Sequence, residues 1–285
     1  MSDLNSEVNL DIPPEKMYKY TSFDRALDIL IHNRIYFAKL SEFNDPFERL
    51  VTLGSDTPEG RKAIIEYIVT EARKHHPDMP IATMTEKQKQ EFVDNPSKAD
   101  MLTRALIDKS SMPDSIGFCC LTDTDQSLPM WAHYANNHTG CCLRFDFSKH
   151  PYQKTEEDTF PFHYMIKVKY REKLPKYNMD RPWHDYSYKS IEWEYEQEWR
   201  AVMFDKNVSR ELSPFLSKKS NGADFYSLGN FLREVILGNK MSDTHKKCIM
   251  LAAKQRNISV RQASPKLYEY GICLDEVDSK QPTQV

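Results

Sequence analysis

Short apolar runs rich in β-branched and aromatic side chains recur at irregular spacing, and they constrain the fold more than any other feature. Residues 35–38, 115–121, 141–146, 165–170, 199–204 and 234–238 each read as a strand. Between the first two lies one block, 57–112, in which Ala63, Ile64, Tyr67 and Ile68 recur with a helical period. Strands that do not alternate regularly with helices cannot wind into a parallel α/β sheet. The expected class is therefore α+β, a mixed or antiparallel sheet core carrying a helical insertion at 57–112.

Local signals refine this. Residues 17–20 read as a short strand, and Thr21 with Asp24 three residues later forms a capping box for a helix to about His32. Phe23, Ala26, Leu27, Leu30 and Ile31 make its inward face. Thr57 before Pro58 caps the first helix of the insertion, whose nine basic and nine acidic residues mark a solvated block. A single helical turn is expected at 128–134 and a longer helix at 242–256. Residues 1–15 hold Asp3, Glu7, Asp11 and Glu15 with no Lys or Arg, so they read as a flexible acidic arm. One catalytic-type domain over 16–274 and a flexible tail over 275–285 complete the expected organisation.

Composition excludes several classes. The 285 residues carry 39 Lys and Arg against 42 Asp and Glu, a net charge of -3, so no overall field commits the chain to nucleic acid. With 8 Gly, and neither a Walker nor a Rossmann glycine pattern, Gly-rich phosphate loops are not expected. No run of about 18 apolar residues and no basic leader is present, which reads as a cytoplasmic protein without a membrane span. The six cysteines fall as Cys119-Cys120, Cys141-Cys142, Cys248 and Cys273. They lack the short gaps that bring thiolates onto zinc, so they read as buried apolar side chains and no metal is expected.

The candidate chemistry is concentrated in five places. In 192–200, Glu196 and Glu198 stand two apart as an apolar strand begins, so both are expected on one side of it, in position to hold a sugar hydroxyl. The bland alternative is a solvated acidic loop with an Arg200 salt bridge. Trp131, His133 and Tyr134 form an aromatic turn that stacks on a planar ring or plugs the core. Asn44, Asp45 and Glu48 surround Pro46 in a polar turn. Residues 167–189 hold seven basic residues against three acidic, interleaved with Tyr170, Tyr177, Trp183, Tyr186 and Tyr188. Lys167, Lys169, Arg171, Lys173 and Trp183 are thus candidates for binding single-stranded nucleic acid, or a solvated face. Residues 240–266 form a second basic stretch, with seven basic residues against one acidic.

The motifs Tyr18-Lys19-Tyr20-Thr21-Ser22, Asn44-Asp45-Pro46-Phe47-Glu48, Met130-Trp131-Ala132-His133-Tyr134 and Glu196-Gln197-Glu198-Trp199-Arg200 resemble, in this order, a widespread prokaryotic domain-of-unknown-function family. Val235-Ile236-Leu237-Gly238 fits its closing motif. More distantly the chain is similar to ADP-ribosyltransferase toxins that modify DNA. That resemblance implies a sheet core of ADP-ribosyltransferase type with NAD as substrate. Tyr20, Thr21 and Ser22 would then grip nicotinamide, with Tyr36 on the next strand and Asn44 and Asp45 nearby. Trp131 or Tyr134 would stack, Glu198 would be the catalytic carboxylate, and Glu196 would serve the acceptor. Tyr20 stands where such toxins usually have His. The implied function is a toxin-like effector of a toxin–antitoxin or anti-phage system that modifies a nucleic acid, with a protein acceptor open and an antitoxin as partner. Two alternatives stand beside it: a non-catalytic ligand- or partner-binding module, and a nuclease using Asp45, Glu48, Glu196 and Glu198 around a divalent metal.

Overall fold

The first strand stops where a serine can cap a helix. β1 (Lys16–Thr21) gives way at Ser22, whose hydroxyl accepts the Arg25 amide at 3.5 Å and starts α1 (Phe23–His32). The cap is thus Ser22 and not Thr21, because Thr21 is still paired with Cys141 in the sheet. Asn33, left-handed at φ 51°, ends the helix and turns the chain into β2 (Arg34–Phe37).

The structure, a computed structural model, describes residues 12–47, 57–99, 101, 116–148, 165–174, 186–204, 224–228 and 230–277. In chain order there follow α2 (Pro58–His75), α3 (Glu86–Val93), β3 (Ile116–Thr122), α4 (Leu128–His133), β4 (Cys141–Asp146) and β5 (Met165–Lys167). Then come β6 (Lys169–Arg171), β7 (Tyr188–Ser190), β8 (Glu198–Phe204), β9 (Asp224–Ser227) and β10 (Leu232–Leu237). α5 (Asp243–Gln255), β11 (Ser259–Pro265) and β12 (Ile272–Glu276) complete the order. The chain divides into two compact units: Met1–Glu42, Asp114–Val168 and Glu192–Val285 form the first, Phe43–Pro113 and Lys169–Ile191 the second.

The first unit is α+β, built on an eight-stranded mixed sheet in the order β12-β11-β10-β4-β1-β3-β8-β5. Its strands pair antiparallel except β10 with β11, which run parallel and are joined through α5. That βαβ crossover was not expected from the strand spacing. β2 pairs separately with β9. The run at 165–170, expected as one strand, breaks at Val168: β5 pairs with β8, and β6 pairs with β7 in the second unit.

One face of the large sheet packs against α1 and α5. Met17, Leu121, Leu143, Val235 and Leu237 meet Ala26, Ile29, Leu30, Ile249 and Ala253 there. Burying each large aliphatic contributes about 1.5–3 kcal/mol. Phe23 stacks on His245 at 3.7 Å, and Arg256 donates to the carbonyls of Ile29 and Leu30 at the end of α1. That arginine is therefore a structural member of the basic stretch read at 240–266.

The other face carries a smaller apolar cluster in which Tyr20, Cys142 and Ile236 meet Met130, Trp131 and Ala135 around α4. The chain leaves α4 through Asn136, Asn137 and His138, all with positive φ, a conformation Asn tolerates better than most residues. Two glycines let this turn approach the sheet. A Cβ at Gly140 would lie 2.2 Å from the Thr21 carbonyl oxygen, and one at Gly238 would lie 2.1 Å from that of His138.

In the second unit α2 and α3 pack through Ile64, Ile65, Ile68, Val69, Phe92 and Val93. Thr57 caps α2 on the Gly60 amide at 3.1 Å, and Thr85 with Gln88 forms a full capping box for α3.

Candidate functional site

Register places a row of polar side chains across the α4 face of the large sheet. Glu198 lies opposite Thr122, Thr122 opposite Tyr18, Tyr18 opposite Arg144, Arg144 opposite Glu234, and Glu234 beside Ser259. Residues paired directly across strands share a face, so the row runs over β8, β3, β1, β4, β10 and β11. Four inter-strand steps of about 4.8 Å put roughly 19 Å between Glu198 and Glu234. A buried carboxylate held by arginine stands toward each end.

At the β8 end, Glu198 is 3% exposed and Arg200 is 0% exposed. Residues two apart on a strand share a side, and Arg200 uses this to bond Glu198 twice, Nε to Oε1 at 2.8 Å and a terminal nitrogen to Oε2 at 3.2 Å. The Arg200 salt bridge of the bland reading is present, but it is buried and not solvated. Burial holds the neighbouring Cys120 thiol well above its ordinary range, and the negative charge of Glu198 raises it further.

Glu196 does not share that side. It ends a 3-10 turn, Ile191–Glu196, and Gln197 with φ 45° turns the backbone before β8 starts. Glu196 is nevertheless buried, and the Tyr134 hydroxyl donates to its Oε1 at 2.5 Å. Beside this contact an aromatic shelf reaches solvent. Tyr195 lies 6.1 Å from His133 at 28° and 6.1 Å from Trp193 at 40°.

At the β10 end, Glu234 is 6% exposed and takes Arg144 Nε at 3.2 Å, Arg261 through a terminal nitrogen, and the Ser259 hydroxyl. Arg261 Nε is buried without a partner. Between the two ends, burial and then the charge of Asp125 push the Tyr18 phenol up to about 12. Burial raises Tyr20 further still, with a contribution from Cys142.

The remaining sequence candidates fall as follows. Trp131 is fully buried, edge-on to Tyr20 at 5.2 Å, with Nε1 donating to the Asp125 carbonyl at 3.2 Å. It is the core plug of the bland reading and presents no face to a ligand ring. Tyr20 is 5% exposed and packs in the same cluster, Thr21 is buried, and Ser22 is used as a cap, so the expected gripping triplet is not displayed to solvent. The Tyr36 hydroxyl donates to Glu42 at 2.9 Å. Asn44 and Asp45 belong to the second unit; Asn44 is exposed, and Asp45 accepts the Phe47 amide at 2.9 Å as a turn residue.

Of the basic candidates, Lys167 lies over the Trp199 ring at 5.5 Å in the first unit. In the second, Arg171 lies over Tyr188 at 4.3 Å, and Lys169 and Lys173 are exposed. Trp183 and Glu48 lie outside the described residues. Among the described residues no three His, Cys, Asp or Glu side chains gather to hold a metal ion, and no helix is long and apolar enough to cross a membrane.

Sequence reasoning passed over Arg144, Glu234 and Arg261 as site residues. The signal was partly present, since Arg144 stands between the buried Leu143 and Phe145 and Glu234 is itself buried beside Val235. A charge at such a position demands a partner, and only the register showed that each is the other's.

Residues 130–201 match the profile of a family described as "Protein of unknown function (DUF2971)". The matched segment contains the Met130–Tyr134 and Glu196–Arg200 motifs, while the Tyr18 and Asn44 motifs precede it. No curated protein and no solved structure matches the chain.

Proposed function

We propose that the protein is an NAD-dependent ADP-ribosyltransferase with Glu198 as its catalytic carboxylate. The observation that carries this reading is the fixed carboxylate at the first residue of β8, in one row with Thr122 and Tyr18 of the adjacent strands. The β1–Ser22–α1–β2 succession at the amino-terminal side is in keeping with it. In the reaction the bond between ribose C1′ and the nicotinamide nitrogen breaks, and its electron pair leaves with nicotinamide. The acceptor nucleophile bonds to C1′, and its proton passes to a base, the role proposed for Glu196. A carboxylate stabilises the positive charge that develops on the ribose and accepts a hydrogen bond from its hydroxyl. Arg200 fixes Glu198 for that task.

NAD fits the site in part. Its ribose suits Glu198, and its planar cationic nicotinamide suits the partly exposed His133–Tyr195–Trp193 shelf, which replaces Trp131 in the stacking role. The proposed acceptor is a nucleic acid, in a toxin-like effector; Lys167 is the exposed basic candidate in the unit that holds Glu198, while Lys169, Arg171 and Lys173 are exposed in the second unit.

A second reading is favoured by the burial of the Glu198–Arg200 pair. With 3% of Glu198 and none of Arg200 exposed, the pair can be purely structural in a non-catalytic binding module. Labelled NAD incubated with wild type and Glu198→Gln, in the presence of DNA, RNA or cell lysate, separates the two. The transferase predicts label on an acceptor with wild type and at least about a hundredfold slower transfer with a folded Glu198→Gln. No transfer and no NAD binding by wild type would leave the binding module standing.

A further inference from the structure

We infer that the arginine end of the sheet face is a binding site for a phosphoryl oxyanion. A row two residues from the one already described carries the argument: Tyr20 lies opposite Cys142, Cys142 opposite Ile236, and Ile236 beside Arg261. Tyr20 and Arg261 therefore stand on the same face, three inter-strand steps apart with β4 and β10 between them, and both act electrostatically with Cys142.

Each presents a buried donor without an acceptor. Arg261 Nε has no partner, and neither does the Tyr20 hydroxyl, on a side chain 5% exposed. The Ser127 amide approaches the Tyr20 oxygen from one side, so the group left unmatched is the O–H. Buried donors are nearly always paired, and two orphans on one patch call for a shared kind of acceptor. Arg144 and Arg261 add to the excess. Each guanidinium has five N–H groups, and among the described residues each donates to Glu234 alone. With side chains 21% and 24% exposed, both remain reachable from solvent.

The chemistry of the missing acceptor follows from this inventory. Glu234 holds both guanidiniums on one oxygen and accepts the Ser259 hydroxyl on the other. Asp125 and Glu276 also act on Arg261, so with Glu234 three carboxylates stand against two guanidiniums and the named charges sum to −1. Donors, and not net charge, are in surplus. A planar guanidinium fork matches a tetrahedral oxyanion, and several acceptor oxygens on one small group are what a phosphoryl group provides. The inference stands apart from the transferase reading: the phosphoryl group can belong to free diphosphate or to the diphosphate of a dinucleotide.

Calorimetric titration of the full chain with inorganic pyrophosphate, NAD and uncharged adenosine tests it, using wild type, Arg261→Gln and Tyr20→Phe. Saturable pyrophosphate binding is expected, weakened about tenfold or more in Arg261→Gln and less in Tyr20→Phe. NAD binding with the same sensitivity to both variants would assign the group to a dinucleotide; binding of pyrophosphate without NAD would assign it to the free anion. Absence of saturable binding of either by wild type, unchanged affinity in both variants, or adenosine binding with the same variant sensitivity would overturn the proposal.

Discussion

Glu198 and Glu234 are both buried carboxylates on one face of one sheet, each bound to arginine, yet their surroundings differ. Arg200 comes from the same strand, bonds Glu198 through both oxygens, and has no exposed surface. Arg144 and Arg261 come from the strands on either side of β10, bring single bonds to the same oxygen of Glu234, and keep an open edge. A closed pair of this kind fixes one geometry. An open pair with spare donors can exchange partners with a ligand. Two clusters of the same residue types are thus suited to different work, positioning at one end and binding at the other.

The largest effect expected to sharpen that contrast comes from breaking the closed pair. Arg200→Met removes both bonds that Arg200 makes to the buried Glu198 carboxylate, at a cost of about 3–5 kcal/mol, and Glu198→Leu combined with Arg200→Met is expected to recover most of it. Arg261→Met is expected to cost less, about 1–3 kcal/mol, because Arg144 still bonds Glu234. Urea denaturation measures both, and equal losses would erase the distinction between the two ends.

A smaller effect lies between them, at Tyr18. Its phenol is raised to about 12 in the folded state from an ordinary value of 10.0, so its contribution is complete below pH 10 and is lost as pH rises toward 12. Melting temperature is expected to fall over that interval in wild type and less in Tyr18→Phe; identical alkaline profiles would remove Tyr18 from the buried row.

The smallest is at His138, stacked on Trp131 at 6.1 Å. Burial, then Lys240, lowers its imidazole below the ordinary 6.5. The unfolded chain therefore binds a proton first, and stability present above pH 6.5 is lost as pH falls through that value toward the folded one. His138→Asn, which keeps a residue tolerant of positive φ, is expected to flatten the profile between about pH 7 and 5. An unchanged slope would place the acid sensitivity elsewhere.

Much of the secondary structure was legible because its causes are local. Ser242 before α5, Thr57 with Pro58 before α2, and the apolar face of α1 are start signals and periodicities carried by neighbours in the chain. The site was legible only where its geometry is equally local. Glu198 and Arg200 meet because alternate residues of a strand share a side. Glu196 was expected on that side too, and the positive φ of Gln197 removed it, a backbone choice that no side-chain pattern announces. Trp131 beside His133 and Tyr134 looks the same in sequence whether it faces a ligand or the core. Its burial was decided by Gly140 and Gly238, which let the turn after α4 close onto the sheet.

What the sequence by itself determined is most of the apolar strand runs, the approximate spans of the helices, the α+β class and the proximity of Glu198 to Arg200, since all follow from periodicity and capping over a few residues. Only the tertiary structure decided that Glu198 and Glu234 share one row, that β10 and β11 run parallel, and that two unpartnered donors stand on one face. Those depend on register between strands far apart in the chain, and register is set by how buried faces pack together, a property that no single segment carries.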